Sequence, residues 1–179
     1  MNPSCNLFIV GPTGAGKTSI GRRLAEHYQL AFVDLDQEIE RHCGVPVSTV
    51  FELEGEAGFR HRESDMLDHC TQPQGIVLAT GAGAVLEPVN RQRLAARGYV
   101  RWLQAGIEQQ LERLARDTKR PLLAGEDRRA KLTAMREVRE PLYRELADLV
   151  LPDEHESVHA ATQRAIALID THWNRTQAA

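Results

Sequence analysis

The segment Gly11-Pro12-Thr13-Gly14-Ala15-Gly16-Lys17-Thr18 constrains this chain more than any other stretch of it. It fits the spacing GxxxxGK[ST]. An apolar run, Asn6 to Val10, precedes it, and a stretch with Ile20, Leu24 and Tyr28 on one helical face follows from Thr18. Strand, loop and helix are therefore expected in that order. Successive backbone N–H groups in such a loop form a nest for an anion, and the glycines allow its curvature. The helix N-terminus adds the positive end of its dipole. Gly14, Ala15, Gly16, Lys17, Thr18 and Ser19 are then the nucleotide-binding candidates. Lys17 supplies a charge to the β- and γ-phosphates of ATP, and the Thr18 hydroxyl suits Mg²⁺. The competing reading is an ordinary glycine-rich turn, which does not account for both flanks.

The rest of the chain repeats the alternation of short apolar runs with helical patterns. Further strands are expected at Ala31–Asp34, Ile76–Ala79, Tyr99–Leu103 and Leu149–Leu151. Short helical pieces are expected over 38–42 and 47–53, and a longer helix carries Phe59, Met66, Leu67 and Cys70. Pro88 opens another, since proline suits a first helical turn. Ile107, Leu111, Leu114 and Ala115 mark the next, and Val158, Ala161, Ala165 and Ile169 the last. Alternation of this kind implies an α/β fold: a five-stranded parallel sheet with helices on both faces. With 179 residues, one domain covering 1–179 is expected. The polar stretch from Asp117 to Lys131 reads either as a mobile lid or as a solvated surface loop.

Composition excludes several classes. A net charge of −3 gives no reason to expect nucleic acid as a partner. Cys5, Cys43 and Cys70 have neither CxxC nor metal-ligand spacing and read as thiols of a reducing compartment. No signal-peptide pattern and no membrane-length apolar stretch is present, so the cytoplasm is expected. A GTPase would carry an NKxD-type motif, and the sequence has none. A small kinase for a metabolite or a nucleoside monophosphate fits the length.

Four further motifs bear on the phosphate acceptor. Asp34-Leu35-Asp36 ends the second strand. Ligands of open α/β sheets gather at the carboxyl ends of strands. There the chain can aim one carboxylate at Mg²⁺ and the other at a hydroxyl; a solvated acidic cap is the alternative. Arg60 and Glu63 lie i, i+3 on a helix. A buried glutamate would fix the guanidinium for bidentate capture of a carboxylate, whereas an exposed pair would be worth only about 0.3–0.5 kcal/mol. Thr80-Gly81-Ala82-Gly83 follows the third strand and brings backbone amides close to a ligand, or simply turns the chain. Arg120 and Arg139 are either active-site cations or surface arginines.

Taken together these motifs resemble those of the shikimate kinases. GPTGAGKT at 11–18, DLD at 34–36, GFRHRE at 58–63, TGAG at 80–83, RPLL at 120–123 and REPLY at 139–143 occur in the family's order, from Asn6 to about Leu151. The resemblance implies the nucleoside-monophosphate-kinase-like fold with strand order 2-3-1-4-5. It implies transfer of the γ-phosphate of ATP to the 3-hydroxyl of shikimate, with one Mg²⁺ per subunit and a monomeric enzyme of aromatic amino acid biosynthesis. It makes Lys17, Asp36 and Arg120 catalytic, and Thr18 and Asp34 the Mg²⁺ residues. Asp36, Arg60, Gly81, Ala82, Gly83 and Arg139 would bind shikimate, with Glu63 bracing the two arginines. Arg120 would lie at the phosphates and Arg113 near adenine. The family's turn usually reads GGG, and here Ala82 stands in the middle with its N–H retained.

Overall fold

The computed structural model describes residues 4–115 and 127–173. Five strands form one parallel sheet: β1 (Leu7–Val10), β2 (Ala31–Asp34), β3 (Ile76–Ala79), β4 (Tyr99–Leu103) and β5 (Leu149–Leu151). The order is β2-β3-β1-β4-β5 and every pairing is parallel. The inner strands β1, β3 and β4 are buried along their whole length. β1 and β3 read as continuous apolar runs, and β4 does so apart from Arg101, because helices cover both faces.

Strand pleating divides the interior in two. Phe8, Val10, Leu78, Val100 and Trp102 face α2 (Leu35–Cys43), α3 (Val47–Cys70), α4 (Pro88–Arg97) and α6 (Arg128–Leu146), burying Ile39, Phe59, Leu67, Leu94 and Tyr143. On the opposite face Leu7, Ile9, Val77, Tyr99 and Leu103 pack on α1 (Lys17–Tyr28) and α7 (Val158–His172) through Leu24, Ala165 and Ile169. The remaining helix, α5 (Ile107–Leu114), joins α6 around Leu114 and Leu132.

Two elements differ from the sequence expectation. Residues 127–131 are not loop: Asp127 caps α6 with its side chain and Arg128–Lys131 begin the helix. That helix then runs through Pro141, which hid it from a periodicity reading. Residues 117–126, the remainder of the expected lid, lie outside the described residues. The two expected pieces around Gly55 meet there without a loop, at a kink where Gly55 adopts φ 69° and ψ −176°.

Arg101 is the costly feature of the core. It sits in β4 on the Tyr99/Leu103 side and has 0% exposure. None of its three guanidinium nitrogens has a hydrogen-bond partner among the described residues. Burial pulls its pKa down to about 10. Below that pH the group is charged in both the folded and the unfolded chain, so the burial penalty is present in full at neutral pH. Replacing even a buried ion pair by well-packed apolar side chains is often neutral or stabilising by about 1–4 kcal/mol, and an unpaired buried ion has no Coulombic partner to lose. Arg101→Leu is expected to raise the melting temperature by roughly 2–4 °C per kcal/mol gained. A lower melting temperature in a thermal scan would mean that the guanidinium is held by an anion after all.

Candidate active site

The loop after β1 passes close under β4. A Cβ on Gly11 would overlap the Leu103 carbonyl, and its φ of 146° is open chiefly to glycine. Gly16, at φ 90°, caps α1 with no side-chain hydrogen bond, which leaves the first-turn amides to an anion. Lys17 Nζ donates to the Gly11 and Pro12 carbonyls at 2.9 and 2.8 Å and so lies along the loop. Arg113 on α5 donates to the Gly14 carbonyl at 2.9 Å. Beside it a cavity of about 290 Å³ is lined by Gly16, Ser19, Arg113, Pro152 and Val158, among others.

Thr18 and Asp34 meet at the carboxyl end of the sheet. The Thr18 hydroxyl donates to Asp34 Oδ2 at 2.7 Å. The other oxygen of Asp34 accepts from the Gln37 amide and caps α2. No loop separates β2 from α2, so Asp36 falls in the first helical turn and diverges from Asp34. The two carboxylates of the DLD motif thus leave the strand end in different directions.

Asp36 turns toward a buried charged cluster. Glu63 on α3 is fully buried and Arg60 is 8% exposed. Arg60 Nη1 donates to Glu63 Oε2 at 2.6 Å, Nη2 to Glu56 at 3.2 Å, and the guanidinium lies over Phe59. Arg139 on α6, also 8% exposed, joins the same electrostatic neighbourhood. Burial works against the Arg60 cation, but Glu63 and Glu56 outweigh it and hold its pKa above the ordinary arginine value. Arg139 shifts the other way: burial lowers its pKa, and the Arg60 charge adds to that effect. Burial pushes Glu63 up to about 7 against the pull of Arg60, with Asp36 reinforcing the rise. This is a desolvated constellation, not the exposed helical pair that sequence alone left open.

The turn after β3 closes the cluster. A Cβ on Gly81 would come 2.5 Å from Glu63 Oε1 and 3.0 Å from Asp36 Oδ1, and one on Gly83 would overlap the Arg60 guanidinium. Both positions need glycine because charged side chains approach the backbone there. Ala82 has no positive φ, so its methyl group brings no backbone strain. Its carbonyl accepts from the Tyr143 hydroxyl on α6. Tyr143 and Pro152 were not singled out from sequence, although Tyr143 lay within the quoted REPLY motif. Arg120 lies outside the described residues.

A phosphate loop after the first strand, a Thr–Asp pair at the carboxyl end of the sheet and a buried charged cluster beside it, on a sheet of this order, define a small P-loop phosphotransferase. The family model for shikimate kinase matches residues 13–170. A shikimate kinase of Stenotrophomonas maltophilia is 47% identical over 175 residues, covering 98% of this chain and 97% of the relative. One from Francisella philomiragia is 52% identical over 82% of this chain and 84% of its own length. The solved shikimate kinase of Acinetobacter baumannii in complex with shikimate superposes with a TM-score of 0.91 at 42% identity, over 95% of each chain. The chain belongs to the shikimate kinase family.

Proposed function

We propose that this protein transfers the γ-phosphate of ATP to the 3-hydroxyl of shikimate, giving shikimate 3-phosphate and ADP. The observation that carries the reading is the acceptor cluster: two nearly buried arginines, one braced by a buried glutamate, beside an aspartate at the sheet's carboxyl end. A ring that carries both a carboxylate and a hydroxyl uses all of these. Arg60 and Arg139 take the carboxylate, and the amides at Gly81–Gly83 border the ring. Asp36 accepts from the attacking hydroxyl and takes its proton as the oxygen bonds to Pγ. The β–γ bridging oxygen departs with ADP.

Phosphoryl transfer needs positioning and charge stabilisation more than covalent participation. The loop amides and Lys17 hold the phosphates, Arg120 adds a second cation, and the cleft at Arg113 takes the base. Thr18 and Asp34 suit Mg²⁺, which is held by one or two side chains together with phosphate oxygens and water. When bound, the ion neutralises charge on the β- and γ-phosphates. One ion per monomeric, cytoplasmic enzyme belongs to the same reading.

The direct test is ADP release from the full-length protein with ATP, Mg²⁺ and, in turn, shikimate, gluconate and nucleoside monophosphates. Shikimate alone is expected to stimulate release; stimulation only by another acceptor would refute the assignment. Arg60→Ala and Arg139→Ala are each expected to raise the shikimate KM strongly. Removing a charged hydrogen bond to a desolvated carboxylate costs roughly 2–5 kcal/mol. The ATP KM should change less for Arg60→Ala. An unchanged shikimate KM in both variants would put the carboxylate elsewhere.

A further inference from the structure

We propose that Glu63 takes up a proton from solvent when the acceptor's carboxylate docks on Arg60 and Arg139, so that acceptor capture is linked to protonation of a buried residue. This rests on the acceptor reading above and deepens it. The starting point is an asymmetry within one side chain. Glu63 Oε2 receives Arg60 at 2.6 Å, while Oε1 is buried and has no hydrogen-bond partner among the described residues. That orphaned oxygen lies against Gly81, on the side where Asp36 also approaches the turn. An ionised carboxylate with one oxygen unpaired in a dry site is costly, and a proton on that oxygen removes the cost.

The charges around it say when the proton arrives. Helix α2 contributes Asp36; α3 contributes Arg60 and the half-exposed Glu56; α6 contributes Arg139 and the Tyr143 hydroxyl; the turn after β3 contributes none. In the unliganded site, Arg60 and Arg139 offset Asp36 and an ionised Glu63. A docked carboxylate adds a further anion to Asp36, Glu63 and the half-exposed Glu56 and engages the same two guanidinium groups. It also excludes water and strengthens the repulsion that remains. Protonation at Oε1 restores the balance, and the same proton returns to solvent when the product leaves. The unliganded group already titrates near neutrality, since burial places it at about 7. Docking raises it further, so the linkage falls above pH 7: affinity for the acceptor declines as pH rises, whereas below about pH 6 Glu63 is protonated with or without ligand.

Calorimetric titration of the full-length protein with shikimate, in two non-phosphate buffers of different ionisation enthalpy, reads the proton count directly. Wild type is expected to take up most of one proton per shikimate at pH 8 and close to none at pH 5.5. Its affinity should fall about tenfold between pH 7 and 8.5. Glu63→Gln cannot titrate and stands in for the neutral carboxyl; its affinity is expected to be independent of pH across this range, near wild type at pH 5.5 and tighter than wild type at pH 8.5, with no uptake. A brace with no proton role would lose affinity in Glu63→Gln and show no uptake in wild type either. Asp36→Asn removes the neighbouring charge, so its uptake window should move to lower pH, and this holds even if Glu63→Gln fails to fold. Uptake absent from wild type between pH 6 and 9, or unchanged in Glu63→Gln, would overturn the proposal while leaving the acceptor reading intact. Failure of shikimate to bind at any pH would overturn the acceptor reading and this inference with it.

Discussion

Lys17→Met yields a folded protein that no longer transfers phosphate. The side chain donates to the Gly11 and Pro12 carbonyls of the loop, and the strand and helix that frame the loop are held by Leu7, Ile9, Ile20 and Leu24. Removing the ammonium therefore leaves the core unchanged. What goes is a positive charge at the point where negative charge gathers on the transferring group. Loss of one preorganised electrostatic contact typically lowers kcat by about 10²–10³, and a full charge at a triphosphate stands at the upper end of that range or beyond. Thermal unfolding should stay close to wild type while ADP release falls to background. Turnover near the wild-type rate would remove the phosphate loop from the mechanism.

Asp36→Asn is the second large loss, and its comparison with Asp34→Asn separates two roles that lie two residues apart. Asp34 ends β2, receives the Thr18 hydroxyl and caps α2. Asp36 lies in the first turn of α2 and faces the Gly81 backbone beside Glu63. Asparagine preserves shape and removes charge. Asp34→Asn should shift the Mg²⁺ dependence and lower kcat, with the Kd for shikimate largely kept. Asp36→Asn should lose an acceptor hydrogen bond and the proton acceptor, a drop of about 10²–10⁴ in rate. Separate titrations of Mg²⁺ and shikimate in both variants resolve the two. If both move only the Mg²⁺ curve, Asp36 belongs to the metal site and not to the acceptor.

Much of the fold could be read locally. The run Leu7–Val10 and the run Ile76–Ala79 declare themselves as strands because both of their faces are covered, so every residue is apolar. The phosphate loop spells out its own backbone in glycines. The acceptor cluster is legible only in part, because its character depends on burial. Nothing in the i, i+3 spacing of Arg60 and Glu63 distinguishes a surface pair from one in which the glutamate is wholly enclosed. That distinction comes from Gly81 and Gly83, which let the turn close on the pair, and from Arg139, delivered by a distant helix. Helix α6 itself was masked by Pro141 and by a surface rich in charge. Arg101 escaped notice for a related reason: within a strand pattern it looks like a tolerated polar residue, and only the packing of α1 and α7 over β4 shows it enclosed without a hydrogen-bond partner among the described residues.

The central claim is that the 3-hydroxyl of shikimate receives the γ-phosphate in this site. Phosphorus NMR of a reaction containing the full-length protein, ATP, Mg²⁺ and shikimate tests it most directly. The expected result is one new phosphate monoester, formed in step with ADP, whose phosphorus couples to the proton on C3 of the ring. Inorganic phosphate as the only new signal, or a monoester on another ring position, would contradict the account.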